Sequence, residues 1–223
     1  TMSNPNAPSN GALIRTLGGI SALSGLLIVM VVEYTAPIIE QNRKEAIERA
    51  IFEVVPGAII SQPYLLGENS LTANDGTATE GELIYAGYDE KGKLKGIALA
   101  TEGQGYQDVI QILYGYNPAC ECLSGMKVLK HAETPGLGDL ILKDPPFLAN
   151  FTTLDVKLNP AQEQIVNPVV TVKHGSKQNP WEIDSISGAT VSSKAIGKMI
   201  RLHTASILPR LYPLTETIKE HTP

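Results

Sequence analysis

Residues 16–32 contain no charged side chain, and this run constrains the chain more than any other stretch in it. So much contiguous apolar surface has to be buried in protein or in lipid. As an α-helix rising about 1.5 Å per residue, it reaches the short end of what spans a hydrocarbon core. Arg15 can snorkel at one end and Tyr34 can sit at the interface at the other. The reading is a transmembrane helix over residues 12–34, with residues 1–11, rich in Asn, Pro, Ser and Gly, as a disordered tail before it. A cleaved signal peptide competes with this reading, but Glu33-Tyr34-Thr35-Ala36-Pro37 is a poor small-x-small cleavage site. Gly18 and Ala22, like Ser21 and Gly25, are four apart, a pattern that lets membrane helices approach closely and hints at membrane partners. Flanking charge sets orientation weakly, because Arg43 and Lys44 are balanced by Glu40, Glu45 and Glu48.

The rest of the 223 residues suffices for one ordinary domain, and a hydrophobic content of 43% supplies its core. A net charge of −5 with scattered Lys and Arg gives no footprint for nucleic acid, and that class is excluded. The two cysteines, Cys120 and Cys122, provide no disulfide framework. On a strand both would share one face, so two free thiols are expected, with half a metal site or a redox pair as the alternatives.

Residues 38–56 read as an amphipathic connecting helix with Ile47, Ala50, Ile51 and Val54 between charges, stopped by Pro56-Gly57. Residues 67–81 read as an exposed loop. Residues 83–88 and 94–99 flank Asp89-Glu90-Lys91-Gly92-Lys93, a hairpin signal. Further strands are expected at 109–116, 126–130 and 169–172, with a turn at Gly103-Gln104-Gly105-Tyr106. The segment around Pro145 and Pro146 reads as irregular, and Pro209 and Pro213 break any C-terminal helix. The fold class is α+β, with a largely antiparallel sheet and flanking helices over 57–215 and a short tail at 216–223.

Two motifs carry chemistry. Asp184-Ser185-Ile186-Ser187-Gly188-Ala189-Thr190-Val191-Ser192-Ser193 is a turn of small residues feeding a helix-like run at 194–203. Unpaired N–H groups and the helix dipole favour an anion there, and Ser187, Gly188 and Ala189 leave room for a phosphate beside the Thr190 hydroxyl. Read locally, the same pattern is a helix N-cap worth about 1 kcal/mol. The second motif is His131-Ala132-Glu133-Thr134-Pro135-Gly136-Leu137-Gly138. Its proline and glycines permit a tight turn whose backbone can meet the polar edge of a planar ligand; by itself it is an ordinary Pro-Gly turn. His131 and Glu133 would share a strand face, as ligand contacts, as half a metal site with Cys120 and Cys122, or as solvated surface.

The first motif resembles the flavinylation motif of the FMN-binding domain family, and the second resembles that family's other signature loop. Members include the G subunit of the Rnf electron-transport complex, to which the chain is more similar, and the C subunit of the Na+-translocating NADH:quinone reductase. The resemblance implies an FMN-binding domain in which Thr190 carries FMN through a phosphoester. Asp184, Ser187, Gly188 and Ala189 would form one wall of the cofactor site, and His131, Glu133, Thr134, Pro135, Gly136, Leu137 and Gly138 the other. It also implies a single-pass protein of the cytoplasmic membrane with its domain on the extracytoplasmic side. There it would relay electrons among other membrane subunits, in a complex that couples ferredoxin and NAD+ chemistry to ion transport. The quinone-reductase counterpart is the alternative within the family. From other classes, a membrane-tethered scaffold without cofactor and a hydrolase using Ser187 or Thr190 with His131 and Asp184 remain, although the Gly-x-Ser-x-Gly elbow is missing. There is no strand-linked Gly-x-Gly-x-x-Gly with a distant acid, so no turnover of NADH by the chain alone is expected.

Overall fold

A computed structural model describes residues 10–74 and 81–219. The expected tails at 1–11 and 216–223 and the loop at 67–81 therefore lie partly outside the described residues. The chain divides into two units, residues 1–45 and residues 46–223.

Helix α1 spans Asn10–Val54 and runs through Pro37. The segments expected at 12–34 and 38–56 are thus one helix. Proline removes a single N–H bond, here the one to the Glu33 carbonyl, and Glu33 is exposed, so the loss falls on no buried acceptor and the helix continues. In the first unit the large apolar side chains face outward, from Ile38 at 51% to Tyr34 at 76% exposure. This helix is long and apolar enough to cross a membrane. Thr35 returns its hydroxyl hydrogen to the Val31 carbonyl at 2.8 Å, so it adds no unmet donor to the apolar stretch.

The second unit is built on a six-stranded antiparallel sheet. Its strands are β1 (Ile60–Leu66), β2 (Leu71–Ala73), β3 (Glu82–Tyr88), β4 (Leu94–Gln104), β5 (Val109–Asn117) and β6 (Cys122–Lys130), in the order β2-β1-β3-β4-β5-β6. Period-two alternation sorts the side chains to two faces. Ile97, Leu99, Ile110, Ile112, Tyr114 and Tyr116 enter the main core, where helix α3 (Thr190–Leu211) adds Ile196, Ile200, Ile207 and Leu208. Ala98 and Leu113 face the other way and meet Ala50, Ile51 and Val54 from the end of α1 and Val55 just after it. That helix end approaches very closely: a Cβ on Gly115 would stand 1.9 Å from the Val54 carbonyl oxygen. Ser124 donates its hydroxyl to the same oxygen at 2.6 Å, so one of the unpaired carbonyls at the helix C-terminus is satisfied.

The remaining elements are α2 (Pro145–Ala149) and a parallel pair, β7 (Val170–Val172) with β8 (Glu182–Asp184). Several sequence expectations are corrected. Leu71–Ala73, placed in a loop, pairs with β1 as an edge strand, and β1 itself contains Pro63, which sequence reading disfavours in a strand. The Pro145-Pro146 segment is helical because prolines are tolerated in a first turn, and Asp144 caps it by accepting from the Phe147 N–H at 2.8 Å. Helix α3 continues past Pro209 to Leu211, since the carbonyl deprived of its bond belongs to the exposed Ala205. Cys120 and Cys122 are joined as a disulfide rather than standing as free thiols. The hairpin turn explains it: Glu121 adopts a left-handed φ of 52°, which shortens the Cα separation of its neighbours to 5.2 Å, less than extended strand geometry gives.

Candidate functional site

The first turn of α3 is assembled from buried serines and an exposed threonine. The chain leaves β8 at Asp184, and a turn closes with the Ala189 N–H donating to the Ile186 carbonyl at 3.2 Å, Gly188 taking a φ of +86° within it. Ser193 is fully buried and locks this turn, accepting from the Ile186 N–H at 3.1 Å and donating to the Ala189 carbonyl at 2.9 Å. Ala189 is the N-cap, and no side chain caps the helix. Thr190 is therefore not the cap that local reading would make it. It is the first helical residue, exposed, with its hydroxyl 3.4 Å from the Ile186 carbonyl. The open N–H groups and the positive end of the dipole lie beside that hydroxyl, with no acidic residue in the first turn to compete for them.

The second motif meets the first through one carboxylate. Glu133 is only 4% exposed. Its Oε1 accepts from the Tyr106 N–H at 2.9 Å and the Gln107 N–H at 3.2 Å, while its Oε2 accepts the hydroxyl of Ser192, itself 2% exposed. Three segments far apart in sequence are thereby fixed to one another. Gly105 and Gly138 are where the carboxylate passes: a Cβ on either would come within 2.4 and 2.6 Å of its oxygens. The expected strand face shared by His131 and Glu133 does not form, because β6 ends at Lys130. His131 instead accepts the Glu133 N–H on its Nδ1 at 3.2 Å. Cys120 and Cys122 sit at the opposite end of β6, about 30 Å away at strand rise, so the four residues do not gather around a metal.

Beyond Glu133, the Thr134 carbonyl accepts from the Leu137 and Asp139 N–H groups, and Gly136 turns with a φ of +78°. The Asp139 carboxylate accepts the Gly136 N–H at 2.7 Å, and Lys143, paired with it at 2.8 Å, holds it below the usual carboxylate range. Thr134 accepts from the Gln107 side chain at 3.3 Å. The Leu137 side chain lies where a Cβ on Gly188 would be in ordinary contact with it, at 3.9 Å. The two signature loops are thus neighbours. Leu137 and Val191 are each 54% exposed and Tyr106 66%, so each of the three segments that Glu133 and Ser192 tie together carries an exposed apolar side chain.

Asp184 has a supporting place. Its carboxylate accepts the Gly175 N–H at 2.8 Å and shapes the turn after β7, while its backbone is held by Asn150 on both sides. Asn150, 4% exposed and missed in the sequence, also accepts from Lys177 at 3.0 Å, and burial pushes that ammonium's pKa down. Only a lone asparagine after a Pro-Pro helix signalled it. Ser192 and Ser193 were legible as motif members, but nothing local separated their inward roles from the outward one of Thr190.

These residues fit FMN. An uncapped helix N-terminus suits a phosphate, and exposed apolar side chains on both sides of it suit the faces of an isoalloxazine ring.

The profile of the FMN-binding domain matches residues 105–202, a span that includes both loops and the first half of α3. The chain is 31% identical over 193 residues to the G subunit of the ion-translocating oxidoreductase complex of Methanosarcina acetivorans, covering 86% of this chain and 90% of that one. It is 29% identical to the same protein of Shewanella piezotolerans, covering 87% and 86%. In fold it is similar to NqrC of Shewanella oneidensis, with a TM-score of 0.53 at 19% identity over 77% of this chain and 87% of that one. It is likewise similar to the C subunit of the Na(+)-translocating NADH-quinone reductase of Parabacteroides distasonis, with a TM-score of 0.57 at 18% identity over 82% and 97%. With nearly full-length similarity on one side and a shared domain on the other, the chain belongs to the family of G subunits of ion-translocating oxidoreductase complexes.

Proposed function

We propose that this protein is an electron-carrier subunit of a membrane-bound, ion-translocating oxidoreductase complex, with FMN attached as a phosphoester to Thr190. The observation that carries the attachment site is the exposed Thr190 hydroxyl at an uncapped helix N-terminus, facing a second loop that Glu133 holds in place. Bound there, FMN supplies one- and two-electron transfer. The chain's own residues hold it. The N–H groups opening α3 take the remaining phosphate charge, Gly188 lets the phosphate approach the backbone, and Leu137, Val191 and Tyr106 shield the ring from water. The 134–138 turn offers backbone groups to the polar edge of the ring. Ser192 and Ser193 are buried with their hydroxyls committed inward, which leaves the exposed Thr190, whose hydroxyl makes one long bond of 3.4 Å to the Ile186 carbonyl, as the hydroxyl of the helix start to be esterified.

The N-terminal helix anchors the protein beside its partner subunits, and the domain stands on the extracytoplasmic side, where a covalent bond prevents loss of the cofactor. The likeness to NqrC concerns the fold, while the near full-length relatives are G subunits, so that reading is preferred. The test is the intact mass of the denatured protein from its native membrane. The expected result is one FMN less one water above the chain mass, and its loss together with in-gel flavin fluorescence in Thr190→Ala. An unmodified native chain would remove the proposal. No oxidation of NADH by the isolated protein is expected.

A further inference from the structure

The disulfide between Cys120 and Cys122 lies at the end of β6 remote from the proposed flavin site, and no step described above uses it. We propose that it is a thiol–disulfide exchange site open to an external dithiol, rather than a staple of the fold. Three observations carry this. First, the bond spans a single residue, so it removes little freedom from the unfolded chain. Second, the hairpin it closes is already held. Asn117 pairs with Cys122 across the strands and accepts the Ala119 N–H at 2.9 Å, the Leu123 N–H donates to the Leu154 carbonyl at 2.8 Å, and Cys122 bridges Asp155. Third, Cys120 is exposed to an attacking thiolate, and the bond closes over Glu121, which the hairpin turn places at a left-handed φ of 52°. Exposed disulfides are the readily reduced ones.

The exchange balances with a dithiol as reductant. Its thiolate attacks Sγ of Cys120, forming a mixed disulfide while the bond to Cys122 breaks and Cys122 leaves as a thiolate. The second thiol of the reductant then attacks its own bound sulfur and releases Cys120. Two electrons and two protons pass from the dithiol to the cysteine pair. Reduction also removes the covalent restraint across Glu121, whose carbonyl accepts the Val156 N–H at 3.1 Å and whose carboxylate accepts the Leu158 N–H at 2.9 Å. The segment around Val156 and Leu158 is thereby loosened from the hairpin.

The experiment uses the full chain in mild detergent, exposed to dithiothreitol at neutral pH without denaturant, then alkylated and analysed by peptide mass and amide hydrogen exchange. The expected result is alkylation of both cysteines within minutes, with exchange at Val156 and Leu158 rising about tenfold while the core strands stay protected. A Cys120→Ser, Cys122→Ser double variant should show the faster exchange from the start and no response to the dithiol. Cysteines that resist dithiothreitol until the chain is denatured would overturn the proposal, as would two free thiols trapped by alkylation directly in the native membrane. None of these readouts depends on flavin.

Discussion

Glu133 shows how a single side chain can join segments far apart in the chain. Its buried carboxylate collects two backbone N–H groups and a serine hydroxyl, and a residue lacking acceptors would strand all three donors. Glu133→Ala is expected to lower stability by roughly 2–4 kcal/mol, read as a drop in chemical-denaturation midpoint, and to leave the FMN mass incomplete even with Thr190 intact. Full FMN occupancy in that variant would show that the two loops find each other without it. A second network has a pH signature. Glu82 accepts from His203 and from Arg210 at 3.0 Å, and His203 Nδ1 in turn lies 2.6 Å from the buried Tyr114 hydroxyl, whose pKa burial pushes well up. The hydrogen bond from His203 holds the Glu82 pKa below its ordinary value near 4.5. The group is charged more readily folded than unfolded, so its stabilisation is present above about pH 4.5 and is lost as pH falls through the lowered folded value. Thermal melts of the wild type and Glu82→Gln should converge on acidification; a constant gap down to strongly acidic pH would remove Glu82 as the cause.

At the scale of elements, the sheet is sandwiched because its two faces are built differently. One carries Ile97, Leu99, Ile112 and Tyr114 into the core under α3, and the other is pared down to Gly87, Gly96, Ala98 and Gly115 where α1 ends. The small face is needed for the close approach of the helix backbone, so Gly115→Ala should displace the helix end rather than fill space. A loss of roughly 3 kcal/mol or more in unfolding free energy is expected, against about 1–2 kcal/mol for Gly136→Ala, where only the positive φ counts. Equal melting of the two variants would refute the packing argument. The hairpin between β3 and β4 and the strand at 109–116 were plain in the sequence, since both are local patterns. β2 and β8 were not, because neither carries the run of β-branched residues that marked the equally short β7, and each acquires strand character only from its partner. The prolines misled for a related reason. A missing N–H matters by where the abandoned carbonyl ends up, and at Glu33 and Ala205 that is outside.

Over the whole molecule, an exposed apolar helix and a self-contained domain divide the work of anchoring and of holding a cofactor. A chain beginning at residue 46 keeps the part of α1 that packs on the sheet, including Ala50, Ile51 and Val54. It is expected to leave the membrane fraction and to melt within about 5 °C of the parent, while the full chain stays in membranes after alkaline extraction. Aggregation of the shortened chain with no melting transition would show that the first unit also stabilises the second. The sequence by itself determined the anchor, the α+β class and the small-residue turn before α3, because each is written in contiguous residues through charge absence, periodicity or local backbone freedom. Only the tertiary structure decided which hydroxyl of Thr190, Ser192 and Ser193 faces out, that Glu133 turns inward to join two loops, and that Cys120 and Cys122 meet across a left-handed Glu121. Those outcomes depend on partners tens of residues away, and a side chain's direction is fixed by what it packs against rather than by its neighbours in the chain.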